Sequence, residues 1–280
     1  MDVISVLSAL DEHYLPQLRV LLTSLRLNEP SRSVDLYLLH STLSDEDLST
    51  VEQQCGAFGY GFYPVRVEDA LFQNAPVTRQ YPKEMYYRLL ASRLLPDTLD
   101  RVLYLDPDIL IINPLRPLWE TELEGCLFGA AAHTRMTELA NSVNRVRLSS
   151  GSDYYNSGVL LMDLAAGRRE IDPEEIFAYV AAHRMELLLP DQDLLNALYG
   201  RRILPLDDAL WNYDARNYNN YLLRSAGIQD VRWVMEHTAV LHFCGKAKPW
   251  KPGYIYRFGV LYQHYAQLTR RVCGQIGLPI

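Results

Sequence analysis

The chain has 280 residues, enough to bury one large α/β core or two small ones. Its composition, 49% hydrophobic and 22% charged, is that of a soluble globular protein. A formal net charge of −7 argues against nonspecific nucleic-acid binding, which needs a basic surface to displace counterions.

The opening segment Met1–Leu10 is apolar but carries neither a basic stretch nor a small-residue cleavage site. It runs directly into Asp11-Glu12-His13, and so reads as a core strand and not as a signal peptide. Val3–Leu10 is apolar almost throughout, as expected of a strand covered on both faces. From Leu15 to Leu27, apolar residues at Leu15, Leu18, Leu21, Leu22 and Leu25 follow helical spacing. Val34–Leu39 is a second strand. Ser44 can cap a helix whose first turn holds Asp45, Glu46 and Asp47, a favourable placement of negative charge. Gly61–Val67 is a third strand, Tyr86–Leu95 a helix stopped by Pro96, and Arg101–Leu105 a fourth strand ending at Asp106-Pro107-Asp108. This strand–helix alternation predicts a Rossmann-like, mostly parallel sheet with helices on both faces. Ligands of such sheets bind at the carboxyl ends of the strands, where Asp11 and Asp106 both fall.

The second half is less regular. Leu127–Ala132 and Val159–Asp163 read as strands, and Asp172-Pro173-Glu174 opens a helix running to about Leu189. Asp191–Leu198 is a short helix, and Trp211–Tyr221 (WNYDARNYNNY) is polar and aromatic without a period, as suits a binding loop. Tyr262–Ile276 has modest helical amphipathicity that core packing accounts for. The expected organisation is one domain over residues 1–280 with an elaborated C-terminal part, a nucleotide-binding half at 1–110 and a sugar and acceptor half at 111–280. Cys55, Cys126, Cys244 and Cys273 are far apart, without CxxC pairing, which predicts reduced thiols in a cytoplasmic protein. No apolar run approaches bilayer length, so any membrane contact is expected to be peripheral.

Two segments carry chemistry. In Arg101-Val-Leu-Tyr-Leu-Asp106-Pro-Asp108 an apolar strand delivers two carboxylates to its end, and residues i and i+2 of an extended chain point the same way. Carboxylate oxygens suit hard divalent ions such as Mg²⁺ or Mn²⁺, which can bridge a protein to a diphosphate. In Val240-Leu-His242-Phe-Cys-Gly245-Lys-Ala-Lys248-Pro-Trp250 a second apolar run ends in an imidazole. His242 is a candidate third ligand that favours Mn²⁺ over Mg²⁺. Gly245 permits close backbone approach, and Lys248 can meet phosphate as a point charge. Lysine occurs at four positions only, and three of them, Lys246, Lys248 and Lys251, fall within six residues here.

Taken together and in order, these segments resemble family 8 of the retaining glycosyltransferases, which includes bacterial lipooligosaccharide galactosyltransferases and the glycogenins. The resemblance spans nearly the whole chain: Ala9-Leu-Asp11, Tyr87-Arg88, Tyr104-Leu-Asp106-Pro-Asp108, Tyr155-Asn156-Ser-Gly158, Pro190-Asp191-Gln192-Asp193 and His242 to Trp250. It implies a GT-A type fold and an Mn²⁺-dependent hexosyltransferase using a UDP-hexose donor and a saccharide or glycolipid acceptor. By this likeness Asp106, Asp108 and His242 bind the metal. Ala9 and Asp11 hold the nucleoside, and Gly245 and Lys248 meet the phosphates. Arg88, Asp106, Asn156, Asp191 and Gln192 fix the donor hexose. Gln192 matches the residue nearest the anomeric carbon, where it would stabilise oxocarbenium charge during front-face attack. A covalent intermediate on Asp191 or Asp193 is the alternative.

Taken singly, each residue also has an ordinary structural reading: Asn156 in a turn, Asp191 as a helix N-cap, Arg88 solvated on a helix, His242 in the core. The sequence departs from the family pattern at His133, where an acidic residue usually lines the acceptor side, and at Leu10 and His13 near the nucleotide. After Arg270-Arg271 it does not continue into the basic, aromatic tail that some members use on membranes. Two rival functions fit strand-end aspartates: a metal-dependent phosphatase or nucleotidyltransferase, and a non-catalytic sugar-nucleotide-binding protein. A haloacid-dehalogenase-type phosphatase wants a threonine soon after its second aspartate, and Ile109-Leu-Ile-Ile supplies none.

Overall fold

The computed structural model describes residues 3–29, 33–68, 72, 75–76, 84–132, 153–183 and 187–278. A seven-stranded sheet organises them. Its strands are β1 (Ile4–Ala9), β2 (Val34–His40), β3 (Gly61–Arg66), β4 (Arg101–Leu105), β6 (Phe128–Ala131), β7 (Val159–Asp163) and β8 (Ile203–Leu206), in the spatial order β3-β2-β1-β4-β7-β6-β8. All neighbours are parallel except that β7 runs antiparallel to both β4 and β6. The sheet is therefore mostly parallel, as its strand–helix rhythm predicts, with one reversed strand in its middle.

Strand side chains alternate between two cores. One face buries Ile4, Val6, Leu36, Leu103, Leu105 and Leu161 against helices α1 (Leu15–Asn28) and α2 (Asp45–Phe58). The other buries Leu7, Val102, Tyr104, Leu160 and Met162 against residues 86–91 and three further helices. These are α6 (Leu164–Glu170), α7 (Pro173–His183) and α8 (Pro190–Tyr199). Helices thus cover both faces. Three one-turn helices lie between α2 and α6: α3 (Glu84–Tyr87), α4 (Ala91–Leu94) and α5 (Arg116–Trp119).

A second, three-stranded sheet pairs β5 (Ile109–Ile111) antiparallel with β10 (Val240–His242), and β10 parallel with β9 (Tyr213–Asp214). It packs with the C-terminal helix, Gly259–Gln275, around Leu110, Tyr213, Leu241, Phe243 and Tyr262. Strand β5 is only three residues long, and side chains from α1 hold its other edge. Ile111 N donates to Ser24 Oγ at 3.0 Å, and Asn28 Nδ2 donates to Ile111 O at 3.0 Å. This fixes the position of a strand too short to fix itself.

Three local expectations need correction. The helix expected over Tyr86–Leu95 is the pair of single turns α3 and α4, separated by a turn at residues 88–90. Arg88 lies at that break, and its guanidinium bonds Asp106 and Ser157, which flank β4 and β7, instead of solvent. The helix expected to reach Leu189 is described over Pro173–His183 and does not include Leu187–Leu189, where the Leu188 and Leu189 amides donate to Asp193 Oδ2 at 2.6 and 3.0 Å. Trp211–Tyr221 is not a free loop: it contains β9 and the start of a helix, Tyr218–Arg224, with Tyr213 stacked on Tyr221 at 3.9 Å. Its tyrosines form core, so the missing period reflected a short strand and a turn and not exposure.

Helix α2 gives a control for later tests because its capping box is exposed and is closed by two residues of one turn, Ser44 and Asp47. Ser44 Oγ accepts from Asp47 N at 3.1 Å while Ser44 N donates to Asp47 Oδ2 at 3.0 Å. Ser44→Ala is expected to cost about 1 kcal/mol in urea unfolding and to leave metal binding unchanged. A loss of metal affinity in this variant would show that the site is coupled to global stability.

Candidate active site

Strands β1 and β4 are parallel neighbours, with Val6 opposite Leu103 and Leu7 opposite Tyr104. Their ends therefore open together, and a cleft of about 350 Å³ lies there. Ala9, Asp11, Arg88, Asp106, Asp108 and Asp191 line it, joined by Leu10, Tyr14, Glu84 and Pro107. Six residues singled out from sequence thus share one cavity. Tyr14 and Glu84 carried no motif and were missed. Asp11 also caps the turn that follows it, accepting from His13 N at 3.0 Å.

The two carboxylates of the Asp-x-Asp segment meet His242 because of strand register. His242 pairs with Ile109, the residue after Asp108, and Phe243 N donates to Asp108 O at 3.0 Å. His242 Nε2 lies 3.2 Å from Asp108 Oδ1 and 3.8 Å from Asp106 Oδ2. One ligand atom from each residue falls within 4.8 Å of the others, the one such convergence among the described residues. Two carboxylate oxygens and an imidazole nitrogen fit a divalent cation of the Mn²⁺ or Mg²⁺ type.

Close packing holds the group together. A Cβ on Gly158 would stand 2.3 Å from His242 Cε1 and 2.6 Å from Asp106 Oδ2, so no side chain fits there. Gly158 O also accepts from Asp106 N at 2.8 Å. Burial opposes charge on Asp108, but His242 and Lys248 beside it hold its carboxyl well below the usual range. Burial likewise opposes charge on His242, yet Cys244 and Asp108 raise its pKa well above the ordinary value. Because burial pushes the Cys244 thiol up, Asp108 is the partner that carries the charge. Lys248 Nζ pairs with Asp108 Oδ2 and donates to Phe243 O at 2.9 Å.

A second network surrounds Arg88. Its guanidinium lies 3.1 Å from Asp106 Oδ1 and 3.1 Å from Asp191 Oδ2, donates to Ser157 O at 3.0 Å, and sits over the Tyr104 ring. Burial alone would lower its pKa, but Asp106, Tyr104 and Asp191 drive it further up, so it is permanently charged. Ser157 Oγ donates to Asp191 Oδ2 at 2.9 Å, and Tyr104 Oη donates to Asp106 Oδ1 at 2.8 Å. Asp191 is therefore no N-cap: it is a first-turn residue of α8 aimed at Arg88. Asn156 does bond neighbouring backbone, with Oδ1 accepting from Gly158 N at 3.0 Å, and its Nδ2 also donates to Gln192 Oε1 at 2.9 Å.

The other candidates separate. Asp193 is fully buried, with Oδ1 accepting from Tyr154 Oη at 2.5 Å and Oδ2 taken by two backbone amides. Gly245 adopts φ +80°, which favours glycine, but its Cβ direction points at the Arg216 guanidinium and it does not line the cleft. His133 lies outside the described residues. Asn212 was missed: it accepts from or donates to both His242 and Asn156, yet from sequence it was one of several asparagines in an aromatic segment.

The sequence matches the model of Glycosyl transferase family 8 over residues 5–252. The chain belongs to glycosyl transferase family 8. Among similar proteins, the general stress protein A of Bacillus subtilis is 25% identical over 277 residues, covering 96% of this chain and 95% of its own. A lipopolysaccharide 1,2-glucosyltransferase of Escherichia coli K12 is 26% identical over 264 residues, covering 91% and 75%. The galactosyltransferase LgtC, solved with donor and acceptor sugar analogues, superposes with a TM-score of 0.78 at 25% identity, covering 95% and 96%. The family 8 chain thus has the GT-A type fold. No helix among its described residues is long and apolar enough to cross a membrane.

The tight fit around Gly158 yields a sharp expectation. Gly158→Ala must push His242 or Asp106 aside, and should weaken Mn²⁺ binding at least tenfold by electron paramagnetic resonance titration, in line with losses of about 10–100-fold for disturbed metal surroundings. Far-ultraviolet circular dichroism should stay as in wild type, since the residue lies at a strand end.

Proposed function

We propose that this family 8 chain transfers a hexose, glucose or galactose, from a UDP-sugar to a saccharide or glycolipid acceptor with retention of configuration. The observation that carries the reading is the convergence of Asp106, Asp108 and His242 beside the Arg88–Asp191 network in one cleft at the strand ends. The resemblance of the chain to lipopolysaccharide glucosyl- and galactosyltransferases supports it. A bound Mn²⁺, or Mg²⁺ in its place, would neutralise the diphosphate as the bond to the sugar breaks.

The chain's own residues supply the rest. Lys248, already at the carboxylate pair, is placed to follow a phosphate as a point charge. Gly245, whose φ of +80° favours glycine, would meet the phosphates through its backbone. Ala9 and Asp11 hold the nucleoside half, which assigns nucleotide binding to residues 1–110. Arg88 bonds Asp106 and Asp191 at once, so both carboxylates present fixed oxygens to sugar hydroxyls; groups left unpaired by a wrong epimer would be penalised. Gln192 Oε1 accepts from Asn156 and keeps a second lone pair for the positive charge that develops at the anomeric carbon. The acceptor oxygen then bonds that carbon from the face the diphosphate leaves, and its proton passes to the departing phosphate oxygen. Of the two aspartates open to a covalent route, only Asp191 lines the cleft; both oxygens of Asp193 are engaged in structure. Cytoplasmic location, with peripheral membrane contact at most, belongs to the same reading.

Two measurements test the reading. UDP release from UDP-glucose or UDP-galactose should require Mn²⁺ and stop in EDTA, and Asp108→Ala should lose metal-dependent UDP binding while remaining folded. Full turnover in EDTA, or turnover of phosphate monoesters instead, would favour the phosphatase class. Binding without any turnover across acceptors would favour a sugar-nucleotide-binding protein. Proton NMR of the product from an α-linked donor should show an α anomer; a β product would falsify retention.

A further inference from the structure

A chain of amide side chains runs behind the metal-ligand group, and one backbone atom sets its direction. Gly158 N–H can only donate, and its partner at 3.0 Å is Asn156 Oδ1. The Asn156 amide is thereby oriented with its oxygen toward Gly158. Asn212 Nδ2 donates to the same oxygen at 2.9 Å, so the Asn212 oxygen must face the other way. It faces His242 Nδ1 at 2.8 Å. A carbonyl oxygen only accepts, so Nδ1 carries a proton and Nε2 is the nitrogen turned to Asp106 and Asp108.

We infer that Asn212 is a positioning residue that holds the His242 ring with Nδ1–H inward and Nε2 toward the carboxylate pair, with Gly158 N–H as the fixed reference. The inference rests on the metal role proposed for His242. Flipping the ring about its Cβ–Cγ bond would put a carbon against the Asn212 oxygen and Cε1 against the carboxylates. Asn212 is fully buried and His242 nearly so, and a flip would strand buried polar groups without partners. Backbone contacts keep Asn212 in place: its N donates to Asp208 O at 3.2 Å, and the next residue, Tyr213, is paired with Leu241 of β10. Partners of this kind, which bond the far nitrogen of a ligating histidine, raise ligand basicity and fix the ring.

The decisive experiment reads the ring directly. In ¹⁵N-histidine-labelled, metal-free protein at a pH where the ring is neutral, the His242 signals are those that vanish in His242→Gln, and the one remaining ring proton should sit on Nδ1 and exchange slowly. A wild-type ring with no proton on Nδ1 overturns the inference. Mn²⁺ titration followed by electron paramagnetic resonance adds the functional side. Asn212→Ala should weaken Mn²⁺ binding by about 10–100-fold and lose the slow Nδ1 proton. Asn212→Asp still accepts from Nδ1–H while losing the donation to Asn156 Oδ1, and should keep the slow Nδ1 proton. If Asn212→Ala does not fold, the wild-type ring spectrum and Asn212→Asp decide the matter. Wild-type affinity in folded Asn212→Ala, or loss of the slow Nδ1 proton in Asn212→Asp, overturns the inference. Failure of wild type to bind Mn²⁺ would instead overturn the metal reading, and the ring spectrum would still judge Asn212.

Discussion

Everything in the site depends on the register of β10 against β5. His242 reaches the Asp-x-Asp segment only because it pairs with Ile109 while Phe243 N binds Asp108 O. A slip of one residue would turn the imidazole to the opposite face and bring Leu241 or Phe243 to the carboxylates. Both strands are three residues long, too short to hold this pairing by themselves. The register is instead imposed from outside. Ser24 and Asn28 of α1 bond the free edge of β5, and Asn28 also donates to Tyr265 Oη of the C-terminal helix at 2.8 Å. A helix from the first half and one from the end of the chain therefore both fix where His242 sits.

Electrostatics then make the pocket workable in an acidic protein. Asp106, Asp108 and Asp191 share one cleft, and Arg88 and Lys248 are the cations that face them. Two unit charges 4 Å apart interact by about 4 kcal/mol at an effective dielectric of 20, so repulsion among the three carboxylates would otherwise be large. Removing one partner of such a buried pair leaves an uncompensated charge, typically at a cost of about 3–5 kcal/mol. Arg88 is thus part of the frame of the cleft. Lys248 differs: a pointlike ammonium on a flexible stem can change partners when a cation arrives at Asp108.

Much of this was legible in the sequence, for identifiable reasons. The parallel core, the helix pair α1 and α2 and the strand-ending carboxylates come from local patterns of apolar residues, caps and charge, and these patterns survived folding. The Gly158 requirement was half visible: the motif Tyr155-Asn156-Ser157-Gly158 drew attention, but only packing shows that its glycine is pressed against His242. What could not be read is long-range. The reversal of β7 depends on strand neighbours about 30 to 60 residues away, as Ala130↔Leu160 and Leu103↔Leu161 illustrate. The break at Arg88 comes from a guanidinium drawn to Asp106 and Asp191, and helical spacing over Tyr86–Leu95 says nothing of that. In Trp211–Tyr221 the aromatic, polar composition concealed a buried stack and the one asparagine that touches His242.

The first turn of α8 shows how one short stretch serves both structure and site. Asp191 and Asp193 are two residues apart, and on a helix such residues point to different sides. Asp193 turns inward, where it binds the Tyr154 hydroxyl and the Leu188 and Leu189 amides, and so ties the preceding loop to the helix start. Asn196, one turn further, bonds both backbone groups of Tyr155, at 2.7 and 2.8 Å. The segment carrying Asn156, Ser157 and Gly158 is thereby anchored to the same helix that presents Asp191 and Gln192 to it. Because one rigid helix holds both sides, the Asn156–Gln192 and Ser157–Asp191 bonds have fixed geometry before any ligand arrives. Two carboxylates of identical chemistry in one tetrapeptide are therefore assigned by burial: the enclosed one builds the frame, and the one facing the cleft is available to a substrate.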